Sequence, residues 1–211
     1  MKRIVYKEDN IDLKFIKKIL DENGIIIYPT DTVYGVGASL KSLEGIEKIY
    51  KAKERAFNSP LIALLSKVEY VEKVAIVDEE KKEIVVKLAE KFWPGALTII
   101  LNKRNSVPDI MVSGGQTVGV RIPALKLAQY IIESVGGVLP TTSANISGES
   151  TPRSYEELNE IFKERVDIII DGGKSPLGVE STIIDLTKDV PKILREGAIK
   201  KEAIEKLIGK I

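Results

Sequence analysis

The chain has 211 residues, with 32 Lys and Arg against 31 Asp and Glu, a formal net charge of +1. That length sets one large domain, and near-neutrality removes any bulk field that would hold the chain on nucleic acid or an anionic membrane. Cysteine and histidine are both absent, which excludes disulfides, a thiolate nucleophile, Ser-His-Asp chemistry and Cys- or His-ligated metals.

Charge returns by Lys7 and Glu8, too soon for a signal-peptide core, and the longest apolar runs, such as Ala96 to Leu101, fall far short of a membrane span. A cytoplasmic protein with no membrane partner is expected. Ile11, Phe15, Ile16, Ile19 and Leu20 recur at helical spacing, and Asn23-Gly24 ends that helix. Ile25 to Tyr28 is a β-branched run that reads as a buried strand stopping at Pro29. The hydroxyl-rich stretch Thr30 to Gly35 follows. A second helix from about Ser42 carries Leu43, Ile46, Ile49 and Tyr50 on one face and leads into Lys51, Lys53 and Arg55. Leu61 to Leu65 reads as a further buried strand. Asp78 is placed to cap a helix carrying Ile84, Val85, Leu88 and Phe92, which breaks at Pro94-Gly95.

Ala96 to Leu101 and Val118 to Ile122 read as strands, the second ending at Pro123. Leu125 to Val135 is helical and closes at Gly136-Gly137. Val138-Leu139 is a short strand before a polar loop, Pro140 to Gly148. Ser154 and Glu157 form a capping box ahead of Leu158, Ile161 and Phe162. Strands over Ile168 to Ile170, Ser181 to Leu186 and Lys192 to Leu194 precede a last helix, Lys200 to Ile208. The strand runs are continuously apolar, so both faces of the sheet are expected to be covered. The class is α/β, with about six to eight strands in one sheet.

Two familiar patterns fail on a single position each. Gly173-Lys174-Ser175 ends like a phosphate loop, but Ile168 stands where a glycine must leave room for phosphate. Gly35-Val36-Gly37 opens like a dinucleotide fingerprint, but Leu40 replaces its third glycine.

Polar residues cluster just after the expected strands, where open α/β sheets bind ligands. Hydroxyls in the Pro29–Gly35 and Pro140–Gly148 loops offer donors and acceptors without net charge, although Ser, Thr and Asn also favour turns. Arginine is scarce beside lysine in this chain, so its placement carries information. Arg121 lies within the apolar Val118–Ile122 run, Arg195 follows Ile193-Leu194, and Arg55 ends a basic run. A guanidinium near a sheet core needs a partner: either an internal carboxylate or a carboxylate or phosphate ligand. Three such arginines beside hydroxyl-rich loops point to an anion pocket.

Seven ordered segments then carry a resemblance: Tyr28 to Gly37 (YPTDTVYGVG), Lys53-Glu54-Arg55, Phe92 to Thr98, Val118 to Pro123, Ser143 to Gly148 (SANISG), Glu180 to Asp185, and Leu194 to Ile199. Together they resemble the YrdC-type family of L-threonylcarbamoyladenylate synthases over about residues 20 to 200. The resemblance implies a twisted mixed α/β sheet with flanking helices around a large concave cavity. It also implies synthesis of threonylcarbamoyl-AMP and pyrophosphate from L-threonine, bicarbonate and ATP. A separate transfer enzyme or complex would then modify adenosine 37 of tRNA.

By resemblance, Lys53 and Arg55 form a K-x-R pair and Ser143 with Asn145 an S-x-N pair, all facing the nucleotide phosphates. Ser59, Thr117, Thr151 and Arg195 resemble further ATP contacts. Thr32, Arg121, Thr141 and Ser181 resemble threonine contacts, with Arg121 on the threonine carboxylate. Three departures stand out. Ala56-Phe57 follows the K-x-R arginine where many members have proline, and Leu64 occupies the place of a histidine seen in some longer members. The chain ends at Ile211, so the resemblance is to the single-domain kind, one domain over 1–211.

The chemistry suits a chain without His or Cys, because the carbamate made from threonine is itself the nucleophile. The protein has only to position the reactants and stabilise charge. Mg²⁺ is expected to arrive with ATP, held through ATP oxygens and water rather than a carboxylate cage. Asp31 and Glu180 are candidates to orient the amine or the metal. Two rival readings remain open at this stage: a non-catalytic double-stranded RNA or tRNA-binding module, and an O-carbamoyltransferase. A net charge of +1 and only 12 aromatic residues argue mildly against the first and make any RNA binding weak.

Overall fold

Ile25, Ile26 and Ile27 are all fully buried, which a strand achieves only when both of its faces are covered. The computed structural model describes residues 4–7, 10–54 and 59–211. In it, β2 (Ile25–Tyr28) sends Ile25 and Ile27 into one apolar layer with Ile46 and Ile49 of helix α2 (Leu43–Ala52). It sends Ile26 and Tyr28 into the opposite layer. There they meet Ile16 and Leu20 of α1 (Leu13–Asp21) and Ile131 of α5 (Lys126–Ser134). Burying each isoleucine contributes about 1.5–3 kcal/mol.

The remaining strands are β1 (Ile4–Lys7), β3 (Gly35–Ala38), β4 (Ile62–Leu65), β5 (Ala75–Ile76), β6 (Leu97–Lys103), β7 (Thr117–Arg121), β8 (Val138–Ser143), β9 (Ile168–Asp171), β10 (Thr182–Asp185) and β11 (Lys192–Arg195). Among the described residues these eleven strands join one mixed sheet in the order β1-β9-β2-β3-β8-β4-β7-β6-β10-β11, with β5 attached to β6. Helices α3 (Val71–Val74), α4 (Lys82–Phe92), α6 (Glu160–Glu164) and α7 (Lys201–Ile208) complete the described elements. Among the described residues, no helix is long and apolar enough to cross a membrane.

The sheet is larger than the six to eight strands expected, because β1, β3 and β5 carry weak sequence signals. β3 is Gly-Val-Gly-Ala, poor in strand formers, yet it pairs with both β2 and β8. β8 also runs further than Val138-Leu139. Pro140 is accommodated because the β3 ladder reaches only Thr141, leaving one flank of Pro140 without a strand partner.

Two expected caps are replaced. The Ser154/Glu157 box does not start α6: Asn159 caps it, accepting from the Ile161 and Phe162 amides at 2.9 and 3.2 Å. Glu157 is taken instead by the Arg153 side chain and amide, which compete successfully for its carboxylate. Asp78 precedes a short 3₁₀ turn without capping it and accepts from the Asn102 amide at 2.9 Å. Ser42 does cap α2, accepting from the Gly45 amide at 2.8 Å, worth about 1 kcal/mol.

Candidate functional site

The loop after β2 is built by one hydroxyl. Thr30 Oγ1 donates to the Val33 carbonyl at 2.6 Å and accepts from the Thr32 and Val33 amides. That turn brings Thr32 beside the ends of β7 and β8. Gly35 then starts β3 directly opposite Ser143. A Cβ on Gly35 would lie 2.8 Å from Thr141 Cγ2, so glycine is what lets the loop and β8 approach. Thr32, Arg121, Thr141, Ser143, Ser181 and Arg195 line the resulting hollow of about 370 Å³. Glu180, Ile62 and Leu64 also reach its wall.

Arg121 ends β7 and is almost fully buried. Its Nη2 donates to Asp31 Oδ1 at 2.6 Å, its Nη1 to Thr32 Oγ1 at 2.8 Å, and its Nε to the Gly95 carbonyl at 2.8 Å. The carboxylate and ligand alternatives for Arg121 are therefore compatible. Among the described residues three of its five N–H groups are spent, and Arg121 also lines the hollow. Burial pulls the guanidinium below its ordinary value, Asp31 opposes that, and Arg195 adds like-charge repulsion. Asp31 Oδ2 is buried with no hydrogen-bond partner among the described residues.

The hydroxyls can be assigned proton by proton. Thr141 Oγ1 donates to the Leu139 carbonyl at 2.9 Å, so Tyr28 OH, 2.8 Å away, must donate to Thr141. Burial pushes the Tyr28 phenol well up, which keeps that donor protonated. Thr30 has spent its proton on Val33, and the Thr32 hydroxyl, 3.0 Å from Thr30 Oγ1, accepts from Arg121. Ser143 Oγ donates to Asn145 Oδ1 at 2.6 Å. Thr32, Thr141 and Ser143 thus present lone pairs to the hollow, while Arg121 presents N–H groups. Such walls match a small ligand carrying both a carboxylate and N–H donors, the pattern of an amino acid.

On the opposite wall, Arg195 Nη1 pairs with Glu180 Oε1 at 2.9 Å. Its Nε and Nη2 donate to the carbonyl and hydroxyl of Ser181 at 3.1 and 3.3 Å. Ser181 is further held by Thr98 Oγ1 at 2.8 Å. This ion pair is about a third exposed, so it is screened and can exchange Glu180 for an anionic ligand at little cost.

Among the described residues, Lys53, Ser59, Thr117, Asn145 and Thr151 are not on the lining of this hollow. Arg55 falls outside the described residues. Lys53 is buried beneath the Ser143–Asn145 turn rather than on the wall. Asn145 lies in the same turn, its side chain donating to the Ile146 and Glu149 carbonyls at 3.1 and 2.8 Å. Ser59 sits where Tyr50 OH donates to its carbonyl at 3.0 Å. Thr151 is half-buried in the coil before Pro152. Thr117 opens β7 opposite Asn102, roughly 13 Å along the strand from Arg121. Tyr28, Thr30 and Thr98 carry no site signal of their own in the sequence. Each acts through a neighbouring hydroxyl, a relation invisible without the register. Among the described residues there is no group of three or more acidic side chains placed to hold a metal ion.

A larger groove of about 960 Å³ runs between Val68, Val86, Trp93 and Ile122, but its walls are mainly apolar and carry no arginine. The charged and hydroxyl chemistry is concentrated at the strand ends.

Residues 18–197 match the Sua5/YciO/YrdC family model, described as telomere recombination. The chain is 41% identical over 190 residues to the threonylcarbamoyl-AMP synthase of Pyrococcus abyssi, spanning 90% of this chain and 55% of that protein. It is 38% identical over 194 residues to the Bacillus subtilis threonylcarbamoyl-AMP synthase, spanning 92% of this chain and 55% of that protein. The chain therefore spans about half the length of these curated relatives. The structure superposes on that of P. abyssi Sua5 complexed with L-threonine with a TM-score of 0.89 and 38% identity, covering 100% of this chain and 62% of that one.

Proposed function

The chain belongs to the Sua5/YciO/YrdC family, and from that premise we propose that its hollow makes threonylcarbamoyl-AMP and pyrophosphate from L-threonine, bicarbonate and ATP. The observation that carries this reading is the division of labour on the walls. Arg121 has N–H groups unspent among the described residues for a carboxylate, and the Thr32 and Thr141 lone pairs stand ready for amine hydrogens. Relatives named for the same reaction support it, as does the threonine complex of P. abyssi Sua5.

Bicarbonate takes up a proton and loses water to give CO₂; the threonine amine adds to that carbon and releases a proton, forming a carbamate. A carbamate oxygen then attacks the α-phosphorus of ATP as the bond to pyrophosphate breaks. No side-chain nucleophile is needed. The protein contributes by holding two anions in line and by placing cationic donors where charge builds. Arg195 and Ser143 face the nucleotide, with Arg195 exchanging Glu180 for phosphate oxygens. Mg²⁺ brought with ATP would neutralise charge on the phosphate oxygens. The donor set here, a lone wall carboxylate in Glu180, fits a metal held chiefly by phosphate and water oxygens. The product is a mixed anhydride, an activated acyl donor. A separate enzyme that moves the threonylcarbamoyl group onto adenosine 37 of tRNA is its partner.

The test is mass spectrometry of products from ATP, L-threonine and ¹³C-bicarbonate. The expected result is an adenylate carrying one ¹³C, formed in step with pyrophosphate. Pyrophosphate or AMP release without a labelled adenylate would overturn the reading. Arg121→Lys keeps the charge but loses the fork, so the threonine KM should rise about tenfold or more while the ATP KM changes far less. Equal effects on both would remove Arg121 from the carboxylate.

A further inference from the structure

Lys53 follows the last turn of α2 and is among the most buried charged residues in the chain, with 1% of its surface exposed. Its ammonium donates to the Asn145 carbonyl at 2.7 Å and to Asn145 Oδ1 at 3.1 Å, and also to the Ser143 carbonyl. The Phe162 ring centroid lies 5.9 Å from the ammonium. An ammonium has three N–H donors, and these three oxygens satisfy them. The Lys53 carbonyl adds a fourth tie, accepting from the Ser147 amide at 2.9 Å. Side chain and backbone together fasten the turn that carries Ser143 to the end of α2.

Asn145 Oδ1 is the shared atom. It accepts from Lys53 Nζ and from Ser143 Oγ at once. A serine that turns its proton towards a ligand oxygen would normally leave a buried amide oxygen unsatisfied, which is costly. Here the lysine bond remains on that oxygen when the serine lets go. Ser143 lines the hollow; Lys53 and Asn145 do not.

We propose that Lys53 is a positioning residue. It holds the Ser143–Ser147 turn and keeps Asn145 Oδ1 satisfied, so that Ser143 can switch its proton from Asn145 to a phosphate oxygen of the nucleotide. Lys53 itself makes no contact with that phosphate. The nucleotide part of this inference rests on the proposed reaction; the fastening of the turn does not.

The test is Lys53→Met, which keeps the aliphatic stem and removes the ammonium. Without any nucleotide, hydrogen exchange of the amides in residues 144–149 should accelerate about tenfold or more. The ATP KM should rise by a similar factor, with the threonine KM unchanged within about twofold. A general loss of stability would move both constants. Adding Ser143→Ala to Lys53→Met should raise the ATP KM no further than the larger single effect, because one residue acts through the other. Unchanged exchange of the nucleotide-free turn together with weakened ATP binding would overturn the proposal and make Lys53 a direct phosphate contact. Additive effects of the two substitutions would overturn it equally. Should Lys53→Met fail to fold, Asn145→Ala removes one acceptor while leaving the ammonium, and the same exchange criterion applies. If the wild-type chain makes no adenylate, the proposed reaction fails while the exchange measurement still decides the role of the lysine.

Discussion

Asp31→Ala isolates the buried ion pair at the bottom of the hollow. Asp31 and Arg121 side chains are 6% and 5% exposed and meet at 2.6 Å. Removing the carboxylate leaves a guanidinium with its charge uncompensated in a desolvated position, a loss of about 3–5 kcal/mol. For a chain of this size, each kcal/mol moves the melting temperature by about 2–4 °C, so a drop of roughly 6–20 °C is expected. Arg121 borders the hollow, where water can reach its remaining N–H groups, which places the expectation towards the lower end. The assay is thermal unfolding followed by far-ultraviolet circular dichroism, on Asp31→Ala, Arg121→Met and the double variant. The double should be less damaged than the sum of the singles, with a coupling of about 1–3 kcal/mol. A melting temperature for Asp31→Ala within about 2 °C of wild type, or strict additivity, would refute the view that this pair is desolvated.

Two further outcomes follow from other sites. Glu133 accepts from Ser66 and Lys67, with Tyr70 OH at 3.0 Å, and these bonds hold its carboxyl below the ordinary range. Its contribution is therefore present above about pH 4.3 and lost as pH falls through the lower folded value. The site is two-fifths exposed, so Glu133→Gln should cost less than about 1 kcal/mol at pH 7, with the difference from wild type shrinking in acid in urea titrations. At Gly197, an added Cβ would fall 2.2 Å from the Glu180 carbonyl and 2.7 Å from the Ser181 carbonyl carbon. Gly197→Ala should therefore displace the segment bearing Glu180 and Ser181, costing about 1–3 kcal/mol or more and lowering activity, read by unfolding and product formation together.

The parts of this molecule legible in the sequence were those written as runs. Ile25 to Tyr28, Leu61 to Leu65 and Ile168 to Ile170 announced buried strands, and each is one, to within a residue. Arg121 and Arg195, both set beside apolar strand residues in the sequence, border the hollow. Their internal partners, Asp31 and Glu180, could not be chosen from spacing, because Asp31 lies 90 residues from Arg121. β3 was hidden because its glycines are there for close approach to β8, which opposes ordinary strand propensity. β1 was hidden because a half-exposed edge strand next to a charged terminus has no apolar run to read. The Ser154/Glu157 cap failed because Arg153, adjacent in sequence, outbids a helix amide for the same carboxylate. Lys53 stands in a basic run at a helix end and, by resemblance, in a K-x-R pair facing phosphates; only the fold brings the Ser143–Asn145 oxygens over it.

The strand order has a consequence for how the molecule comes into being. β9 supplies the neighbour for both β1 and β2, and β10 inserts beside β6 from a segment more than 80 residues downstream. As the chain leaves the ribosome, β1 has to wait until β9 has been made before its partner exists. Ser181 and Arg195 emerge only after both hydroxyl loops have been made. Sheets joined by such distant pairings form slowly, and their unpaired edges are exposed to misassociation in the meantime. A nascent chain stalled before residue 180 would therefore hold the two hydroxyl loops with half of the cationic wall still missing.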